Sequence, residues 1–306
     1  MELEEKKIGI LMGGLSPERE VSLTSGNAVL EAVKRKGLNG VGIDVDNNIA
    51  STLIKLKIDL AFIALHGIYG EDGAIQGLLE YARIPYTGAG ILGSALAYDK
   101  VKSKEIFKLN SIPTANYHVF YRSQRKNSKL TFDLPVVVKP SNQGSSIGIS
   151  IVREKKEWET AMNLAFSYAE EILVEKFIEG KLLAIGMNGE QPMPIVHIRP
   201  KSGFYDYEAK YTCGKTEYNC PADLTLKETQ SCHEAAMNVY QVLRGNGTPR
   251  VDVILDSKGT PYVLEMNTIP GMTPTSLLPM AAKQSGVEFD DLVIKILKSA
   301  QLDYEG

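Results

Sequence analysis

Long hydrophobic runs, a basic excess and paired cysteines are all missing from this chain of 306 residues. No stretch approaches the ~18 uninterrupted apolar residues of a membrane-spanning helix. The opening Met1-Glu-Leu-Glu-Glu-Lys-Lys7 is charged and lacks a secretory signal's apolar core, so a cytoplasmic protein with no membrane partner is the expectation. Lys and Arg number 34 against 37 Asp and Glu, a net charge of −3. That balance argues against nucleic acid as a partner, because its binders carry a basic face. Cys213, Cys220 and Cys232 make an odd count without the short paired spacing of a zinc site, and read as reduced structural thiols. Gly13-Gly14-Leu-Ser is not the dinucleotide pattern G-x-G-x-x-G, the glycine-serine loop at Ser141–Gly148 lacks the phosphate-loop spacing G-x-x-x-x-G-K-[ST], and no internal repeat is present.

What is present is an ordinary globular composition, 43% hydrophobic and 23% charged, at a length that suits two or three domains. Lys7-Ile-Gly-Ile-Leu-Met12 is a short apolar run ending in Gly13-Gly14. Ser16-Pro17-Glu18 then reads as an N-cap, a first-turn proline and a first-turn acid, opening a helix to about Lys36. Strands at Val41–Val45 and Asp59–Leu65, alternating with helices that include Ala74–Arg83, argue a parallel α/β sheet. Ligands of such sheets sit at the strands' carboxyl ends, where Gly13, Gly14, Glu18 and His66-Gly67 fall. On spacing alone Glu18 serves either a helix dipole or a ligand, and His66 either the scaffold or a site.

Ala89 to Leu109 reads as helical with Asp99-Lys100 inside it, and a strand-rich segment begins at Ile112-Pro113. Leu134-Pro-Val-Val-Val-Lys-Pro140 then runs into Ser141-Asn-Gln-Gly-Ser-Ser-Ile-Gly148. Backbone donors and hydroxyls beside a lysine can cover phosphates, or form an exposed polar hairpin tip. After an amphipathic helix at Trp158–Ala169 come strands at Glu171–Ile178, Leu182–Met187 and Met193–Ile198. The polar, aromatic segment Gly203–Thr212 has the look of an ordered lid. A long helix, Leu224–Arg244, precedes Arg250-Val-Asp-Val-Ile-Leu-Asp256 and Pro261-Tyr-Val-Leu-Glu-Met-Asn267, which the turn residues between them make adjacent strands. Glu265 and Asn267, two apart, share a face that Asp252 can meet from the neighbouring strand. Hard oxygen donors suit Mg2+; solvated acids on a sheet edge have the same spacing. Two helices after Ser276 close the chain.

Taken in order, these pieces resemble the D-alanine–D-alanine ligases of the ATP-grasp superfamily over nearly the whole chain. The matching motifs are Gly13-Gly14-x-Ser-x-Glu-Arg-Glu-Val-Ser22, Ala64-Leu-His-Gly67, Gly70-Glu-Asp-Gly73, Pro85-Tyr-Thr-Gly88, Asp99-Lys100 and Val138-Lys-Pro-Ser141. They continue with Gly144-Ser-Ser146, Tyr205-Asp-Tyr-Glu-Ala-Lys-Tyr211, Arg250-Val-Asp252 and Glu265-x-Asn-Thr-x-Pro-Gly-Met-Thr273. Single motifs are weak and the ordered set is specific. The resemblance implies an α/β (α+β) three-domain fold: a Rossmann-like parallel-sheet domain at 1–88, a central ATP-grasp domain at 89–178 and a catalytic ATP-grasp domain at 179–306, the two antiparallel-sheet domains gripping ATP. The implied reaction joins two D-alanines through an acylphosphate for peptidoglycan precursors. It uses ATP and a pair of Mg2+ ions replaceable by Mn2+, in an enzyme expected to be a homodimer.

The same resemblance distributes roles. Asp252, Glu265 and Asn267 would hold the metal; Lys100, Lys139, Ser145 and Ser146 would meet the phosphates. Glu175 and the Lys176-Phe177-Ile178 strand end would read adenine. Glu18 would take the first D-alanine's ammonium with His66 nearby, and Arg250 with the Gly271 N–H would stabilise the oxyanion. Lys210, Ser276 and the Leu277 backbone would take the second carboxylate. Ser145, Tyr211 and Glu18 would tie loop, lid and first domain together, and Tyr211, where depsipeptide-forming relatives tend to carry phenylalanine, favours amide formation.

Two positions depart from the family pattern. Leu182 stands where relatives place a ribose-binding glutamate, and Pro249 directly precedes Arg250 where relatives have another residue. The alternatives are a ligase using D-lactate or D-serine as second substrate, or a catalytically degenerate nucleotide-binding ATP-grasp protein.

Overall fold

Three sheets, each from its own stretch of chain, set the architecture. The computed structural model describes residues 2–127, 129–130, 132–212 and 214–304, without the side chains at 126, 127, 207 and 211. Strand β1 (Lys7–Gly13), helix α1 (Arg19–Arg35), β2 (Asn39–Val45), α2 (Ile49–Leu56), β3 (Leu60–Ile63) and α3 (Ala74–Tyr81) come first. They form a parallel sheet in the order β2-β1-β3. Parallel strands are buried on both faces, and β1 and β3 accordingly read as unbroken apolar runs. Leu11, Ala61 and Ile63 pack with α2 and α3 on one side. Ile10, Met12 and Phe62 pack on the other with α1 and the C-terminal helices.

Two helices follow where a single helical stretch was expected, α4 (Ile91–Tyr98) and α5 (Lys100–Leu109). Asp99 separates them in an extended conformation, and its carboxylate accepts from the Val101 and Lys102 N–H groups as an N-cap. Ser16, expected to cap α1, does not: Glu18 occupies the cap position without a side-chain cap bond. The Ser16 hydroxyl instead donates to the His66 carbonyl at 2.6 Å, joining the β1 and β3 ends.

The second sheet contains β4 (Tyr117–Tyr121), β5 (Val136–Pro140), β6 (Ser150–Val152) and β7 (Glu171–Lys176), with α6 (Trp158–Tyr168) packed on it. Its order is β4-β7-β5-β6, all antiparallel. The third comprises β8 (Lys181–Asn188), β9 (Gln191–Pro192), β10 (Val196–Pro200), β11 (Thr216–Asn219), β12 (Arg250–Leu255) and β13 (Pro261–Asn267), in the path β11-β10-β8-β12-β13 with β9 on β8. The short helix α7 (Tyr207–Tyr211) interrupts the segment read as a lid, N-capped by Asp206, whose carboxylate accepts from the Ala209 N–H at 2.8 Å.

Alternation along β8 decides the packing of the third sheet. Leu183, Ile185 and Met187 join α8 (Leu226–Val242) together with Ala97 and Phe107 of α4 and α5. Helices α4 and α5 therefore lie against the third sheet, although they fall in the stretch expected to form the central domain. On the opposite face Leu182 and Ala184 meet a cluster that runs through α9 (Leu277–Gln284) and α10 (Phe289–Lys298) to the first sheet. Arg35 at the end of α1 pairs with Asp290 at 2.6 Å across this junction.

Pro249 does not disturb β12. Its carbonyl accepts from the Met187 N–H at 2.8 Å, while the missing donor costs nothing at a strand's start.

Candidate active site

The expected strand pair places its carboxylates as its spacing predicts. Asp252 lies opposite Glu265 and Arg250 opposite Asn267 across β12 and β13, so all four side chains leave one face of the third sheet. Above that face is a cavity of about 620 Å³. Glu18 and His66 come to its wall from the first sheet, Lys100 from α5, Ser145 from the loop after β5 and Lys210 from α7. Arg250, Glu265, Asn267, Gly271, Ser276 and Leu277 complete the set of expected residues that line it.

The loop from Ser141 to Gly148 is anchored over the cavity. Ser145 and Ser146 hold positive φ angles of 48° and 60°, a conformation costing of order 1–3 kcal/mol outside glycine. Contacts to three elements hold it there. The Ser145 hydroxyl donates to the Glu18 carboxylate in a short bond, the Ser146 hydroxyl donates to the Tyr205 carbonyl at 2.9 Å, and the Gln143 carbonyl accepts from the Lys100 ammonium at 2.8 Å. First domain, loop and lid segment thus meet at one point. The Tyr211 side chain, expected to join this link, lies outside the described residues.

The cavity carries buried groups of both signs. Glu18 is 7% exposed; burial, then the neighbouring Glu71, push its carboxyl above the usual range against the opposing Ser145 bond, His66 and Lys210. Glu18 attracts a cation. Lys210 is shifted the other way: burial lowers it, with Arg250 adding to the effect and Glu265 opposing it. Lys210 attracts an anion, and the N-terminus of α9 at Ser276 and Leu277 lines the same cavity, the Ser276 N–H being bonded to the Thr273 carbonyl at 2.9 Å. An amino acid, with an ammonium and a carboxylate, matches such a pairing.

Lys100 bonds Glu265 at 3.0 Å. Burial alone would raise the Glu265 carboxyl, but Lys100, Lys210 and Lys139 outweigh it and hold it at about 2. Arg250 grips Asp252 through Nε and a terminal nitrogen, both at 2.7 Å, and this partner outweighs burial to raise the guanidinium further. The Asn267 side-chain oxygen accepts from the Ile269 N–H at 2.9 Å and keeps a second lone pair. Among the described residues no three His, Cys, Asp or Glu side chains converge as a metal cluster. The candidate set is two carboxylates and an amide oxygen on one face. That set fits a hard cation completed by phosphate and water oxygens.

A second group of expected residues stands behind the loop, off the cavity wall. Lys139 is bonded to Glu175 at 2.7 Å, and Glu175 is 3% exposed. The Lys176 N–H donates to the Asn116 carbonyl at 2.9 Å and the Phe177 N–H to the Pro135 carbonyl at 3.3 Å. Lys139 and Glu175, expected to serve phosphate and base separately, are thus partners of each other.

Two residues escaped the sequence reading. Glu71 accepts from the Gly67 N–H at 3.1 Å, lies 3.7 Å from His66 Nδ1 and lines the cavity. Its signal was the Gly70-Glu-Asp-Gly73 motif itself. Lys104 is buried at 3.1 Å from Glu175; its signal was the spacing of four from Lys100, one helical turn.

A family profile described as the D-ala D-ala ligase C-terminus matches residues 106–298, and one described as the D-ala D-ala ligase N-terminus matches residues 45–89. A D-alanine–D-alanine ligase of Geotalea uraniireducens is 49% identical over 302 residues, covering 98% of this chain and 97% of the relative. This chain belongs to the D-alanine–D-alanine ligase family. Another D-alanine–D-alanine ligase, from Geobacter sulfurreducens, is 47% identical over 100% of this chain and 97% of its own. Among solved ligase structures, that of the Bacillus anthracis D-alanine–D-alanine ligase complexed with ATP superposes with a TM-score of 0.84 at 31% identity, covering 96% of this chain and 97% of that one. The VanG D-Ala:D-Ser ligase of Enterococcus faecalis superposes at 0.81 with 29% identity, covering 96% of this chain and 99% of that one. The ligase fold, with its parallel sheet and two antiparallel sheets, is therefore shared along nearly the full length.

Proposed function

We propose that this protein joins two D-alanines to D-alanyl-D-alanine at the expense of ATP. The observation that carries the reading is a cavity lined by buried groups of both signs. Glu18 and Lys210, of opposite charge, line it together with Ser145 of the serine loop and Glu265, which stands opposite Asp252 in the strand pair.

Glu18 takes the first D-alanine's ammonium, which relieves its buried negative charge, and His66 lies beside that substrate. The first carboxylate attacks the γ-phosphorus of ATP and ADP leaves, giving an acylphosphate. The second D-alanine's amine attacks the acyl carbon and yields the amide once phosphate departs. Arg250 and the Gly271 N–H offset the oxyanion formed between these events. Lys210, Ser276 and the Leu277 N–H hold the second carboxylate. Ser145, tied to Glu18, keeps the loop closed so that water does not reach the acylphosphate.

Lys100, Lys139 and Ser146 face the phosphates, and Glu175 with Lys176, Phe177 and Ile178 takes adenine. Asp252, Glu265 and Asn267 are the residues that would hold Mg2+, or Mn2+ in its place, which when bound neutralises the β- and γ-phosphates. The three segments are 1–88, 89–178 and 179–306, with α4 and α5 of the middle segment packed against the third sheet, and the homodimer and the cytoplasmic setting complete the proposal.

The test offers D-alanine, D-lactate and D-serine in turn as second substrate and weighs the products. Predominant D-alanyl-D-alanine is expected. A depsipeptide or a D-alanyl-D-serine as main product would replace this reading with an altered specificity.

A further inference from the structure

Helix α5 carries two buried lysines one turn apart, and they reach different sheets. Lys100 bonds Glu265 of β13 at 3.0 Å. Lys104, with a side chain 0% exposed, lies 3.1 Å from Glu175 of β7. Its ammonium also donates to the Thr114 hydroxyl at 2.5 Å, and that hydroxyl donates onward to the Val263 carbonyl of β13 at 2.8 Å. A continuous chain of contacts therefore runs from Glu175 in the second sheet, through α5, to the strand that bears Glu265.

The charge count around Glu175 is uneven. Two ammoniums, Lys104 and Lys139, converge on the same carboxylate oxygen at 3.1 and 2.7 Å. Lys139 sits on the face expected to meet the nucleotide; Lys104 is sealed from solvent and lines no part of the cavity described above. A fully buried lysine is costly unless it does something for its partner. Burial, opposed by Glu175 and reinforced by Lys139, drops its ammonium to about 8.

We infer that Lys104 is a positioning residue for the nucleotide base: it fixes the Glu175 carboxylate, ionised and aimed, as an acceptor for an exocyclic amine. The inference rests on the assignment of Glu175 to adenine made above. An ionised acceptor at that point favours a base presenting an amine and repels one presenting a carbonyl, so Lys104 also bears on the choice of ATP over GTP. Desolvated charge pairs of this kind lose their aim when one member is removed.

The experiment is a double-mutant cycle on the full-length enzyme with Lys104→Met, Glu175→Gln and the double variant. It reads KM for ATP, the ATP-to-GTP ratio of kcat/KM, KM for D-alanine and kcat. Lys104→Met leaves a neutral Lys139–Glu175 pair and should fold; Thr114→Val, a milder change at the same contact, serves if it does not. The expected result is a rise of about tenfold in KM for ATP and a smaller ATP-to-GTP ratio. KM for D-alanine and kcat should stay within about twofold, and Lys104→Met should have no further effect in the Glu175→Gln background. Full additivity, or an unchanged KM for ATP in Lys104→Met or Thr114→Val while Glu175→Gln raises it, overturns the inference and leaves the base assignment standing. An unchanged KM in Glu175→Gln itself overturns both.

Discussion

Replacing Leu182 with glutamate should tighten ATP binding and weaken the fold, and the two effects are separable. Leu182 pairs with Ile198 and Ile254 across the third sheet, and the next residue on its face, Ala184, pairs with Asp252. Two residues of strand span ~7 Å, so with the phosphates held over Asp252 as proposed, the ribose would stand over Leu182. A glutamate there could accept from a ribose hydroxyl, and a hydrogen bond to a charged acceptor contributes about 1.5–3 kcal/mol. That corresponds to roughly ten- to a hundredfold in affinity. On the other side of the balance, Leu182 is half-buried against the apolar cluster around Ile198 and Leu278. Losing half of a leucine's burial costs ~1 kcal/mol of stability. Steady-state kinetics should show KM for ATP falling by at least about tenfold with kcat within twofold, while a urea titration shows a lower midpoint. An unaltered KM in a folded variant would refute the placement of the ribose over Leu182.

Further outcomes follow from the charges. Glu18→Gln should abolish D-alanine-dependent phosphate release yet raise thermal stability near pH 7 by about 0.5–2 kcal/mol. Glu18's raised carboxyl contributes stability below its ordinary value of 4.5 that is lost as pH rises through the folded value, so the variant's gain should shrink as pH falls toward 4.5. Glu265→Gln has the opposite sign. The parent carboxyl, held at about 2 against an ordinary 4.5, contributes stability above 4.5 that disappears as pH falls through about 2. The variant should therefore be less stable at neutral pH, converge with the parent in acid on calorimetry, and need more Mg2+ for half-maximal activity. Tyr211→Phe should raise the depsipeptide formed from D-lactate relative to the dipeptide, read by product mass; an unchanged ratio would remove Tyr211 from the specificity argument.

Much of the fold was readable because local and global signals agree. The apolar runs of β1 and β3, the turn between β12 and β13 and the same-face spacing of Glu265 and Asn267 each point to one structure. The failures came where a polar side chain had more than one backbone group to satisfy. Asp99 sat inside an otherwise helical pattern, and only its bonds to the Val101 and Lys102 N–H groups reveal a helix start. Ser16 had the chemistry of a cap but bonds the His66 carbonyl across 50 residues of sequence. In the site, motif matching named residues but not their partners. Arg250 and Asp252, two apart on one strand, necessarily share a face and bond each other. Lys139 and Glu175 meet only because β5 and β7 are neighbours. The spacing of Lys104 from Lys100 put both on one helix face, but its partner Glu175 emerges only from tertiary packing.

The central claim is that the cavity couples ATP cleavage to D-alanine. Phosphate release at millimolar ATP and Mg2+, with and without D-alanine, tests it most directly when the product is weighed. The account predicts release that depends on D-alanine and yields D-alanyl-D-alanine. Release indifferent to D-alanine, or none while ATP is bound, would contradict it and point to a nucleotide-binding protein that has lost the ligase reaction.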